Sequence, residues 1–191
     1  MDGAGTGAAV LEGGDVLWQP EGFFPIEAHG LHRRYNLDGY LIYDRWQDTP
    51  QAGGYLQVFR NGTLEAVDAF MFAFEGKNSI PGYPFEISIS KAVQRYLALE
   101  NDVGIGVPIF VLLSLLGVKG YSINAGPMRP FLEERLMDRS DLLLPDIIVE
   151  EQGADIPRLM RPAFDAFWQA AGWSQSPSYE GGGWDPPGRG L

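Results

Sequence analysis

No cysteine occurs in the 191 residues. Disulfides, thiolate nucleophiles and thiolate metal sites are excluded together, and an intracellular, cytoplasmic setting is the simpler reading. Histidine is nearly as scarce, with His29 and His32 the only two. Their spacing could present two ligands on a helix. However, Gly30 and the preceding Phe24-Pro25 point to a loop, and no third ligand accompanies the pair, so no metal is expected and its role stays open.

Positive charge is also in short supply. Fourteen Lys and Arg stand against 25 Asp and Glu, a formal net charge of -11. Such a field repels phosphate backbones, and His32-Arg33-Arg34 is too short to form a basic stripe, so direct nucleic-acid binding is not expected. The uncharged run from Val103 to Val118, VGIGVPIFVLLSLLGV, spans only sixteen positions and contains Gly104, Gly106 and Pro108. It falls short of the roughly 20 apolar residues that cross hydrocarbon, and predicts a buried core helix rather than a membrane span.

Several catalytic signatures are missing as well. There is no Gly-x-Ser-x-Gly elbow for a serine hydrolase. Gly3-Ala4-Gly5-Thr6-Gly7 follows no strand, and Gly104-Ile105-Gly106 lacks both a third glycine and a phosphate-binding lysine, so no nucleotide cofactor is expected. Glu133-Glu134 and Glu150-Glu151 are chain neighbours whose side chains diverge on a helix or a strand, as befits a solvated acidic surface.

What is present describes an α+β chain. Residues 1–25 are rich in glycine, lack a basic segment followed by an apolar one, and read as a flexible leader. Gly39 to Trp46, GYLIYDRW, is dense in aromatic and branched residues and ends at the breaker Gln47-Asp48-Thr49-Pro50, which predicts a strand. In YLQVFRNGTLEAVD, Asn61-Gly62 marks a hairpin tip because both residues tolerate positive φ. A two-residue loop would place Arg60 opposite Thr63, Val58 opposite Glu65 and Phe59 opposite Leu64, with the ribbon continuing through Phe70, Phe72 and Phe74.

After the breaker at Asn78 to Gly82 the period changes. Phe85, Ile89, Ala92, Tyr96 and Leu99 recur at helical spacing, with Glu86, Lys91, Gln94 and Arg95 elsewhere, which predicts an amphipathic helix over 84–102. Further helices are predicted over 108–117 and 156–171, the latter stopped by Gly172, and a short one over Arg129 to Met137. Gly120 to Ile123 and the Pro145-interrupted Leu142 to Glu150 read as extended. The expected fold is thus a single α+β domain over 26–172. Its small twisted antiparallel sheet, near 39–74, is packed by three or four helices, and a Gly/Pro-rich mobile tail follows over 173–191.

Candidate site residues are few. Arg60 and Glu65 are diagonal neighbours on the hairpin, where a cross-strand ion pair is the plain reading and a ligand site with Tyr40 the sharper one. Asn61-Gly62-Thr63 matches a glycosylation acceptor, but the hairpin explains the same residues. Trp173, Tyr179 and Trp184 are aromatic anchors for a protein partner, or else pack back on their own domain.

The strand pair GGYLQVFRNGTLEAVD, the amphipathic helix, and VPIFVLLSLLGVKGYSI together resemble the region C-terminal to the nucleotide-binding module of bacterial Schlafen-AlbA type DNA-binding proteins, over roughly residues 53–123. The resemblance implies a bacterial intracellular protein linked to nucleic-acid or stress functions through a companion domain. The acidic residues of the family's nucleotide-binding module have no counterpart here, so no functional residue is carried over.

The expected function is a non-catalytic interaction or regulatory module within a larger assembly, with a protein partner or a second copy of the chain and no membrane contact. The alternative is an enzyme or nucleotide-binding protein whose site is assembled from scattered Asp, Glu, Arg and Tyr residues.

Overall fold

The computed structural model describes residues 23–27, 31–45, 52–72, 78–126 and 135–187, and mixes α-helices with antiparallel β-sheet. Two compact units share the chain, the first drawn from residues 1–70 and 92–106, the second from 71–91 and 107–191.

In the first unit, strands β1 (Leu31–Tyr35), β2 (Gly39–Arg45), β3 (Ala52–Phe59) and β4 (Leu64–Asp68) form an antiparallel meander in chain order. The β-branched and aromatic residues of GYLIYDRW and YLQVF suit a pleated surface, and alternation buries Ile42 and Leu56 completely. The basic triplet lies in β1 rather than in a loop. There the imidazole of His32 stacks on Tyr43 at 5.4 Å, with the Arg34 guanidinium 5.7 Å from the same ring. His29 lies outside the described residues.

The hairpin forms where expected, but its register is one residue off the predicted one. Val58 pairs with Leu64 and Gln57 with Glu65. Phe59 N–H donates to the Thr63 carbonyl, and Gly62 N–H to the Phe59 carbonyl. The loop therefore holds three residues, with Gly62 at φ 89° supplying the left-handed position of a bulged turn. Asn-Gly is compatible with either loop length, so the dipeptide located the turn without fixing its register. The ribbon also stops early. Beyond β4, Phe70–Phe72 forms a 3-10 turn, and Phe74 lies outside the described residues.

Helix α1 (Gly82–Asp102) begins in the second unit and ends in the first. Four of the five positions on its predicted stripe, Phe85, Ile89, Ala92 and Leu99, are buried. Within the first unit, Arg95 stacks its guanidinium 3.8 Å from the Phe24 ring and donates to the Pro25 carbonyl at 2.9 Å, while the Tyr96 hydroxyl donates to the Phe24 carbonyl. The end of the predicted leader is thereby held against the helix.

In the second unit, β5 (Ser79–Pro81) runs parallel to β8 (Ser122–Asn124). Helix α2 (Ile156–Ala170) has clear stop and start signals. The Asp155 carboxylate accepts from the Arg158 N–H, and at the other end Gly172 N–H and Trp173 N–H donate back to the Gln169 and Trp168 carbonyls. Met160, Ala163, Phe164, Phe167 and Trp168 are fully buried, with Phe85 stacked on Phe167 at 4.3 Å. Gly82 sits where a Cβ would meet the Trp168 ring at 2.5 Å, so only glycine lets α1 start this close to α2.

The predicted helix over 108–117 does not exist. Those residues form β6 (Ile109–Val111) and β7 (Ser114–Leu116), paired antiparallel with β10 (Ile147–Val149) and β9 (Asp141–Leu143) respectively. A Leu144 N–H to Leu113 carbonyl bond at 3.0 Å joins the two ladders into one ribbon. A continuous apolar run has no period, and here Gly106, Pro108 and the β-branched Ile109 and Val111 weight it towards extended backbone, with a complementary strand available in LLLPDIIV. Two α-helices rather than three or four are present among the described residues. Most of the short helix expected over Arg129 to Met137 lies outside them, and residues 135–137 are irregular.

Candidate functional site

The residues of the expected ligand site do not converge. Glu65 pairs with Gln57 and Tyr40 with Val58, and these neighbouring positions put Glu65 and Tyr40 on opposite faces of the sheet. Glu65 accepts from the Tyr55 hydroxyl at 2.6 Å, a bond that pushes the Tyr55 phenol up to about 12. Arg60 donates to the Leu37 carbonyl at 3.1 Å, and Tyr40 packs 4.9 Å from the Tyr35 ring. The Asn61 side chain accepts from Thr63 N–H, as an Asx turn does.

The tail aromatics fold back onto the second unit. Tyr179 is buried and its hydroxyl donates to the Pro157 carbonyl at 2.5 Å, while Trp173 packs edge-on to Trp168 at 5.0 Å. Trp184 donates from Nε1 to Glu86 Oε2 at 3.3 Å.

That last contact belongs to a cluster the sequence did not reveal. Glu86, grouped with the polar positions of α1, has no exposed surface at all. Its Oε1 accepts from Trp168 Nε1 at 2.7 Å and from Ser176 Oγ at 2.5 Å. Burial pushes the carboxyl above its usual range, opposed by the hydroxyl and indole donors around it. These four side chains tie the start of α1, the end of α2 and the tail together. Glu86, Trp168 and Ser176 are closed to solvent and Trp184 is half-buried, which suits the cluster to holding structure rather than to meeting a substrate.

The surface offers a different feature. Along residues 109–116 burial alternates, with Ile109, Val111, Leu113 and Leu115 inward and Phe110, Leu112, Ser114 and Leu116 outward. The inner side meets the core through Leu142, Leu144, Ile147 and Val149. The outer side is apolar too. Phe110 is 63% exposed, Leu112 71%, Leu116 71%, Leu143 79% and Ile148 46%. Phe110 stands directly opposite Ile148, and Ser114 opposite Leu143, so these side chains share one face of the ribbon. Isolated exposed apolar residues are ordinary, whereas a contiguous group on one face marks a binding surface. No periodicity in the sequence separated the two faces, because along residues 109–116 both are apolar and only Ser114 interrupts the outer one, while Asp141, exposed opposite Leu116, bounds it on the facing strand.

Among the described residues, no helix is long and apolar enough to cross a membrane, and no cluster of three or more His, Cys, Asp or Glu could hold a metal ion. Compared with protein-family models, curated proteins and solved structures, the chain matches none.

Proposed function

We propose that the chain is a non-catalytic interaction or regulatory module that works within a larger cytoplasmic assembly and docks through the outer face of the 109–116/141–149 ribbon. The observation that carries this reading is the side-by-side exposure of Phe110, Leu112, Leu116, Leu143 and Ile148. Large side chains held out on a paired ribbon give a partner a preorganised surface, so little conformational entropy is lost on docking. The resemblance of residues 53–123 makes a nucleotide-binding companion of the Schlafen-AlbA type the first partner to try.

The test is recovery of that companion with the tagged wild-type chain, compared with Leu112→Ser and Leu143→Ser variants. Partner recovery should fall sharply with either variant while the thermal midpoint is preserved. A parallel thermal-shift screen against nucleotides, metals and oligonucleotides addresses the enzymatic alternative. A ligand binding only the folded chain at 100 times its dissociation constant would stabilise it by about 2.7 kcal/mol.

A further inference from the structure

Resting on the docking reading above, we infer that the occupant of the ribbon face is a protein segment with an apolar core and a Lys/Arg-rich end, seated with that end beside Phe110 and Ile148. The charge around the ribbon is uneven. At the β6/β10 end stand Glu150 and Glu151, both exposed, Asp146 is exposed midway along the ribbon where the two ladders meet, and neither residues 109–116 nor 141–151 contain a lysine or arginine. At the β7/β9 end Asp138 and Asp141 are offset by Lys119 and Arg139. The apolar face is therefore bordered by net negative charge at one end only.

Complementary charge steers encounter and fixes orientation, so this border selects a cation-bearing partner and a direction for it. It disfavours the other occupants. A second copy would bring the same carboxylates to the interface, in a chain of net charge -11. The chain's own residues 1–22 carry Val10, Leu11, Val16, Leu17 and Trp18, but also Asp2, Glu12, Asp15 and Glu21 without a single cation. Anionic lipid would be repelled in the same way.

The test is selection of displayed random peptides on the full-length chain, counter-selected on the Leu112→Ser and Leu143→Ser variants. Individual peptides are then titrated against wild type and Glu150→Gln/Glu151→Gln at low and high salt. The expected winners have apolar centres and Lys or Arg at one end, and lose about fivefold or more in affinity on charge removal or added salt. Winners that are neutral or acidic overturn the basic-partner inference while leaving the docking face intact. The absence of any winner that distinguishes wild type from the variants overturns both. Concentration-dependent dimerisation abolished by Leu143→Ser identifies a second copy as the occupant and overturns the inference alone. Binding to zwitterionic vesicles abolished by the same variant overturns both.

Discussion

The indole Nε1 of Trp168 donates to Oε1 of Glu86 at 2.7 Å, joining a helix start to a helix end 82 positions along the chain. Burial holds the Glu86 carboxyl above its ordinary range, so the folded chain favours the protonated form more than the unfolded chain does. The resulting stabilisation is fully present below the ordinary glutamate range and is lost as pH rises through the elevated value. Glu86→Gln removes the titration. The difference in thermal midpoint, wild type minus variant, should therefore shrink between mildly acidic and neutral pH. A difference independent of pH would show that Glu86 does not titrate in that window.

Removing residues 173–191 takes Ser176 Oγ and Trp184 Nε1 away from Glu86 and the buried Tyr179 ring away from Pro157. Stripping donors from a buried carboxylate should cost at least about 3 kcal/mol, or roughly 6–12 °C in midpoint, if the shortened chain folds at all. A midpoint within about 2 °C of wild type would mean that the tail adds no stability.

Gly62 tests the hairpin loop. At φ 89°, with a Cβ position 2.5 Å from Ile105 Cδ1, Gly62→Ala should lose about 1–2 kcal/mol in a denaturant titration. The end of the Ile105 side chain can shift aside, so most of the loss comes from forcing alanine into left-handed backbone. An unchanged midpoint would show that residue 62 is not held in left-handed backbone, which contradicts the bulged turn.

The two faces of the ribbon should respond differently. Leu115 is buried and Leu112 exposed, three positions apart. Leu115→Ala should cost about 2–5 kcal/mol and Leu112→Ala no more than about 0.5 kcal/mol. A buried helix over 108–117 would instead make both costly, so the pair of unfolding curves separates the alternatives.

Local chemistry made part of this architecture legible. The stripe Phe85, Ile89, Ala92 and Leu99, the Gly172 stop after α2, and the strand GYLIYDRW each have a short-range cause. The failures share a long-range one. Glu86 is buried only because Trp168, Ser176 and Trp184 reach it from 82 to 98 positions away. Its one local hint is a second stripe through Tyr83, Glu86 and Ser90, all buried, which gives the start of α1 two covered sides. The run at Pro108 became strand because residues 141–149 pair with it, and which of its apolar side chains face solvent depends on that pairing.

The central claim is that the outer ribbon face is covered by a protein in the cell. Site-specific photo-crosslinking tests it most directly, with a photoreactive side chain placed at Leu112 or Leu143 and, as a control, at the exposed Arg158 of α2. The account predicts a discrete adduct with a Lys/Arg-bearing protein from both ribbon positions and none from Arg158. Ribbon positions that give no adduct, or the same diffuse pattern as Arg158, would contradict it.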